Sequence, residues 1–96
     1  MKNIYTFRKR AFLNPVSTNK TSYIFTHVES SHNGAYRWGD NLIFIADCHR
    51  VTQLEFPLAT AQKRRVSLAK INLLIDVLTS FRDALIREIA LIEKGE

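Results

Sequence analysis

Residues 67–94 read SLAKINLLIDVLTSFRDALIREIALIEK, 28 positions without a Gly or Pro. Apolar residues recur along this stretch at steps of three and four: Ile71, Leu74, Leu78, Phe81, Leu85, Ile89 and Ile92. That rhythm places them on one face of an α-helix. A helix of this length is a rod of about 42 Å, longer than most small domains need. A second set, Leu73, Ile75, Val77, Ile86 and Leu91, lies off the main stripe, so the apolar surface is broader than one seam. In a chain of 96 residues, such a helix either carries a small sheet on one side or presents its surface to a partner.

Upstream of the helix the sequence reads as strands and turns. Ile4-Tyr5-Thr6-Phe7 alternates weakly before running into Arg8-Lys9-Arg10, and Asn14-Pro15 with residues 17–20 reads as a loop. Residues 23–28 (YIFTHV) are aromatic and β-branched, a good strand. Asn33-Gly34 suits the positive φ angles of a tight hairpin, which predicts a returning strand over Ala35-Tyr36-Arg37-Trp38, broken by Gly39-Asp40-Asn41. Leu42–Ala46 is an apolar run suited to the centre of a sheet. Val51–Phe56 alternates with period two, placing Thr52, Leu54 and Phe56 on one face, until Pro57 stops it.

Ser67 reads as the helix N-cap, with a helical turn at 58–62 and Lys63-Arg64-Arg65 either in the connection or in a helix that starts well before it. Cations in a first turn oppose the helix dipole. The fold class expected is α+β: an antiparallel meander of about four strands followed by one long C-terminal helix. One domain is expected, mainly β over 1–57 and mainly helical over 58–96.

Composition narrows the function classes. The chain is 46% hydrophobic and 24% charged, within the ordinary globular range. Its formal charge is +5 and its pI about 9.7, which suits acidic protein surfaces or nucleic acid and excludes a mimic of DNA. The single cysteine, Cys48, excludes an internal disulfide. With no secretory pattern and no long uncharged apolar run, a soluble intracellular setting without a membrane is expected.

Catalytic groups are sparse. Asp47-Cys48-His49 is the densest reactive cluster, but one cysteine without a chelating pair does not build a zinc site. A Cys48 nucleophile needs a histidine in contact and a third group to orient it; His27 could approach only across the sheet, and an inert thiol is the competing reading. Asp40, Asp47 and Glu55 are scattered, and the three glycines form no phosphate loop. Neither an enzyme nor a cofactor is expected.

Binding is better provided for. Tyr36, Arg37 and Trp38 could stack bases and hold phosphate, although a helix-covered sheet would use the same aromatics, with Phe44, as core. Basic triplets are usually solvated surface. The segment from Ser67 carries four basic and five acidic residues, so it is not a basic recognition helix. An apolar helix face left open fits docking to a partner or to another copy.

Residues 5–15 (YTFRKRAFLNP), Thr21-Ser22-Tyr23-Ile24-Phe25 and 67–75 (SLAKINLLI) resemble the anti-RecBCD accessory proteins of lambdoid phages over nearly the whole chain. The resemblance implies a phage protein of the host cytoplasm that binds the RecC subunit of RecBCD, altering the response to Chi and the loading of RecA. It carries no catalytic residues. On this reading the partner-binding residues are Arg8, Lys9, Arg10, Lys63, Arg64 and Arg65 for polar contacts, with Ile86 and Arg87 on the helix. DNA passing through the complex is a further contact for the triplets. The X-Pro bonds at Pro15 and Pro57 are candidate sites for a host prolyl isomerase, against the ordinary reading as loop prolines. The alternative is a small nucleic-acid-binding protein using Tyr36, Arg37 and Trp38.

Overall fold

The computed structural model describes residues 4–14, 22–33, 36–38, 41–47 and 50–96, with residues 4–6, 30–33 and 36–38 as backbone. Five strands precede one helix: β1 (Ile4–Phe12), β2 (Ser22–Asn33), β3 (Tyr36–Trp38), β4 (Asn41–Asp47), β5 (Arg50–Glu55) and α1 (Ala61–Gly95). β1, β2, β4 and β5 are neighbours in that order and antiparallel throughout, while β3 pairs only with the far end of β2. The expected α+β architecture, a small antiparallel meander followed by one long helix, is the fold observed.

Ser31 pairs Trp38 in β3 and Val28 pairs Asn41 in β4, so both pairings with β2 keep one register. The Asn41 side chain adds a bond at the start of β4: the Glu29 N–H donates to Asn41 Oδ1 at 3.1 Å. Asn41 is buried and its carbonyl also accepts from Phe56 N–H at 2.8 Å, tying the start of β4 to the end of β5. A buried amide so engaged satisfies backbone groups that would otherwise be orphaned. Asn33 is the last residue of β2 and pairs Tyr36, so it belongs to the ladder and not to the connection; residues 34 and 35 lie outside the described set.

The other end of the sheet is closed by polar contacts as well. Ser22 Oγ donates to Asp47 Oδ1 and Ser22 N–H to Asn14 Oδ1, both at 2.7 Å. Buried apolar volume is scarce by comparison. Among the described residues, Ala46 is the sole fully buried apolar side chain.

β1 is longer than its apolar alternation implied. It runs through Arg8-Lys9-Arg10 to Phe12, with an irregularity in register between Tyr5 and Phe7. As an edge strand it accommodates charge, because its outer side and part of both faces meet water.

Helix α1 starts six residues before Ser67. Its N-cap is Thr60, whose hydroxyl accepts from Lys63 N–H at 3.1 Å. Lys63, Arg64 and Arg65 therefore lie in the first turns, where no acid offsets them. Arg64 answers part of that cost by donating to Leu58 O at 3.0 Å. Ser67 has a different task. Its buried hydroxyl donates to Pro57 O at 2.7 Å, and Lys70 Nζ donates to Glu55 O at 2.7 Å while lying 4.9 Å from the Phe56 ring centroid. These contacts fix the angle at which α1 leaves β5.

Beyond that joint, α1 runs free of the sheet. Thirty-five residues make a rod of about 52 Å, and the molecule measures 63 × 29 × 20 Å. Its radius of gyration is 17.7 Å, against about 12–13 Å for a compact chain of this length. Ile71 and Leu74 are half-buried, whereas Leu78, Phe81, Leu85, Ile89 and Ile92 are exposed. The sheet does not curl round to cover the stripe. Ser67→Ala is expected to lower unfolding free energy by about 1–2 kcal/mol, since it leaves Pro57 O without its donor, and Thr60→Ala by about 1 kcal/mol; urea denaturation measures both.

Candidate functional site

Strand alternation gives the sheet two different faces. Phe7, Lys9, Ile24, Thr26, Val28, Ile43, Leu54 and Phe56 alternate onto the side toward α1, and Thr26 Oγ1 donates to Lys9 O at 3.1 Å. Arg8, Arg10, Phe25 and Phe44 lie on the other side. Phe44 is therefore not core beneath the helix, as its aromatic character suggested, but half-buried on the open face.

Between the sheet and the first turns of α1 lies a cleft of about 490 Å³. Its walls are Phe7, Val28, Leu42, Ile43, Phe56, Leu58, Leu68 and Ile71, with Arg64 among the few polar contributors. Arg64, from the second basic triplet, borders this apolar depression, whereas Arg8 and Arg10 of the first lie on the opposite face of the sheet. Such a combination binds apolar side chains flanked by acids. No local pattern of residues marks it, because the cleft exists only where the joint at Ser67 and Lys70 holds α1 over the end of the sheet.

On the open face, the Arg8 guanidinium lies 5.9 Å from the Phe25 ring centroid, and Phe25 stands 6.2 Å from Phe44 and 5.7 Å from His27. Arg10 lies 5.7 Å from the Phe12 ring. Cations over aromatic faces are mutually stabilising, and they form a small basic–aromatic platform.

The remaining candidates separate widely. Lys63 and Arg65 are exposed near the start of α1, and Ile86 and Arg87 are exposed far along it. Tyr36, Arg37 and Trp38 form β3, with Arg37 paired to His32, and their side chains lie outside the described residues. Pro57 is exposed between β5 and α1; Pro15, Cys48 and His49 lie outside the described residues. His27 pairs Leu42 at the start of β4, whereas Cys48 follows its end. Among the described residues, no group of His, Cys, Asp or Glu is arranged to hold a metal, and no helix is long and apolar enough to cross a membrane.

At the standard repeat of about 100° per residue, α1 presents two apolar lines. The main stripe carries Ile71, Leu74, Leu78, Phe81, Leu85, Ile89 and Ile92. A second line carries Leu73, Val77 and Leu91 with Arg87 beside it, and these three leucine and valine side chains are 56–65% exposed. Ile86 sits at the margin of the main stripe. Asp76, Asp83 and Lys94 mark the charged side. No protein-family model, curated protein or solved structure matches this chain.

Lys70→Met is expected to loosen the joint, removing the bond to Glu55 O and the cation over Phe56 at a cost of about 1 kcal/mol. Tryptophan introduced by Leu68→Trp reports it: its emission in the cleft shifts to the red when Lys70 is replaced, and an unchanged spectrum contradicts the assignment.

Proposed function

We propose that this chain is a phage-encoded modulator of the host RecBCD helicase–nuclease, acting in the host cytoplasm by binding the RecC subunit. The partner's identity rests on the sequence resemblance. The observation that supports a docking role is the second apolar line of α1, Leu73, Val77 and Leu91 beside Arg87, which is exposed among the described residues. Exposed apolar side chains beside an arginine suit the central part of an interface, which is poor in other charged groups and enriched in arginine.

The triplets Arg8-Lys9-Arg10 and Lys63-Arg64-Arg65 supply long-range attraction toward acidic protein surface or DNA threading the complex. Ile86 and Arg87 extend the contact along the rod. Occupation of RecC would alter Chi response and RecA loading by steric and conformational means, without bond making or breaking. A host prolyl isomerase is a second proposed partner, through Pro57 or Pro15; Pro57 is exposed and its carbonyl is held by Ser67.

A second reading, binding of single-stranded nucleic acid, is favoured by one observation: the Arg8–Phe25–Phe44 platform on the open face. Bases stack on such surfaces while cations hold the backbone. Tyr36, Arg37 and Trp38, proposed for the same role, form β3, paired to the far end of β2.

Immobilised chain is expected to capture purified RecBCD without DNA, and the double replacement Arg87→Glu, Leu91→Asp should weaken capture by tenfold or more, as loss of a buried anchor and a charge pair does. Failure of the unaltered chain to retain RecBCD contradicts the proposal. If the isolated chain instead binds single-stranded DNA with a steep inverse dependence on salt, the second reading takes its place.

A further inference from the structure

The main stripe of α1 poses a separate question from the line proposed to meet RecC: what covers it in the free protein. Its residues Leu78, Phe81, Leu85, Ile89 and Ile92, with Leu68 and Ile75 on its flank, are each 45–62% exposed. At roughly 100 Å² exposed per large side chain, these seven with half-buried Ile71 and Leu74 offer on the order of 800 Å², the area each partner contributes to a stable interface. Most helical stability in proteins comes from packing of an apolar face, and the outer half of α1 has no such packing among the described residues.

The charge along α1 is polarised. Residues 61–78 carry Lys63, Arg64, Arg65 and Lys70 against Asp76, while residues 79–96 carry Glu88, Glu93, Glu96 and Asp83 against Arg82, Arg87 and Lys94. A parallel pair would lay one basic triplet beside its copy. An antiparallel pair brings opposite charges together, and like charges juxtaposed across an interface are selected against.

We infer that the free protein is an antiparallel homodimer in which the main stripes of two α1 helices pack on each other about a two-fold axis near residues 79–80. In that register, Leu78 meets the partner's Phe81 and Leu85 the partner's Leu74. Arg64 faces the partner's Glu93 and Glu96, and Lys70 the partner's Glu88. The partner's Ile89 and Ile92 arrive beside Leu68 and Ile71, at the mouth of the 490 Å³ cleft. One contact therefore covers both the stripe and the cleft. Leu73, Arg87 and Leu91 remain on the outside, as does the β1 triplet, so self-pairing leaves the second apolar line free and shares Arg64 with the docking surface.

Sedimentation equilibrium of the full chain tests this without any second protein. The expected mass is twice the 11.1 kDa of one chain at roughly 100 µM, falling toward the monomer on dilution. A monomer throughout, or any stoichiometry other than two, overturns the inference. Phe81→Lys should abolish the dimer, but it also perturbs the helix, so charge reversal gives the cleaner reading. Arg64→Glu should raise the dissociation constant roughly threefold at low salt, and adding Glu93→Arg with Glu96→Arg should restore it. Reversals that do not compensate rule out the antiparallel register. Because no RecBCD is present, failure here leaves the RecC proposal standing, and failure of capture leaves the dimer standing.

Discussion

A sheet of four main strands cannot cover this helix. Strands about 4.8 Å apart make a surface less than 20 Å wide, whereas thirty-five helical residues extend about 52 Å. Everything else in the architecture follows from that mismatch. Only the turns between Arg64 and Leu74 lie over the sheet, and the apolar pattern continues unchanged past them to Ile92. Such a pattern has a cost in water wherever nothing lies against it. With Ala46 alone fully buried among the described apolar residues, the sheet itself has little core to spare.

The joint between β5 and α1 turns the mismatch into a defined shape. Ser67 on Pro57, Lys70 on Glu55 and Arg64 on Leu58 are all side-chain bonds to carbonyls of the connection or the strand end. Those carbonyls lie where the strand ladder has ended and the helix has not begun, so each would otherwise depend on water. The rod is thereby aimed, its two apolar lines face different directions, and its cationic start borders the cleft. Surface of this kind suits a protein that works by contact with larger molecules.

Much of the fold was legible in the residues. Periodicity of 3.6 located the helix, and aromatic, β-branched and apolar runs located β2, β4 and β5, but Asn41, expected in a break with Gly39 and Asp40, is the first residue of β4. The helix start was misplaced because Ser67 looks like a cap and the Lys63–Arg65 triplet opposes the dipole; local rules favoured a later start, and the tertiary bonds of Arg64 and Ser67 reversed the balance. β1 was read too short because Arg8-Lys9-Arg10 interrupts its apolar alternation, which an edge strand tolerates. Asn33 looked like a turn residue until its pairing with Tyr36 put it in the ladder. The cleft and the Arg8–Phe25–Phe44 platform depend on register across strands distant in sequence, and no local pattern encodes that.

The central claim is that the outer half of α1 owes its order to contact between molecules. Amide hydrogen exchange over residues 78–92, followed as protein concentration is varied, addresses it most directly. The account predicts protection that rises with concentration in this segment, while β2 and β4 are unaffected. Strong protection of residues 78–92 that does not change down to the most dilute sample would contradict it, because the helix would then be stable on its own.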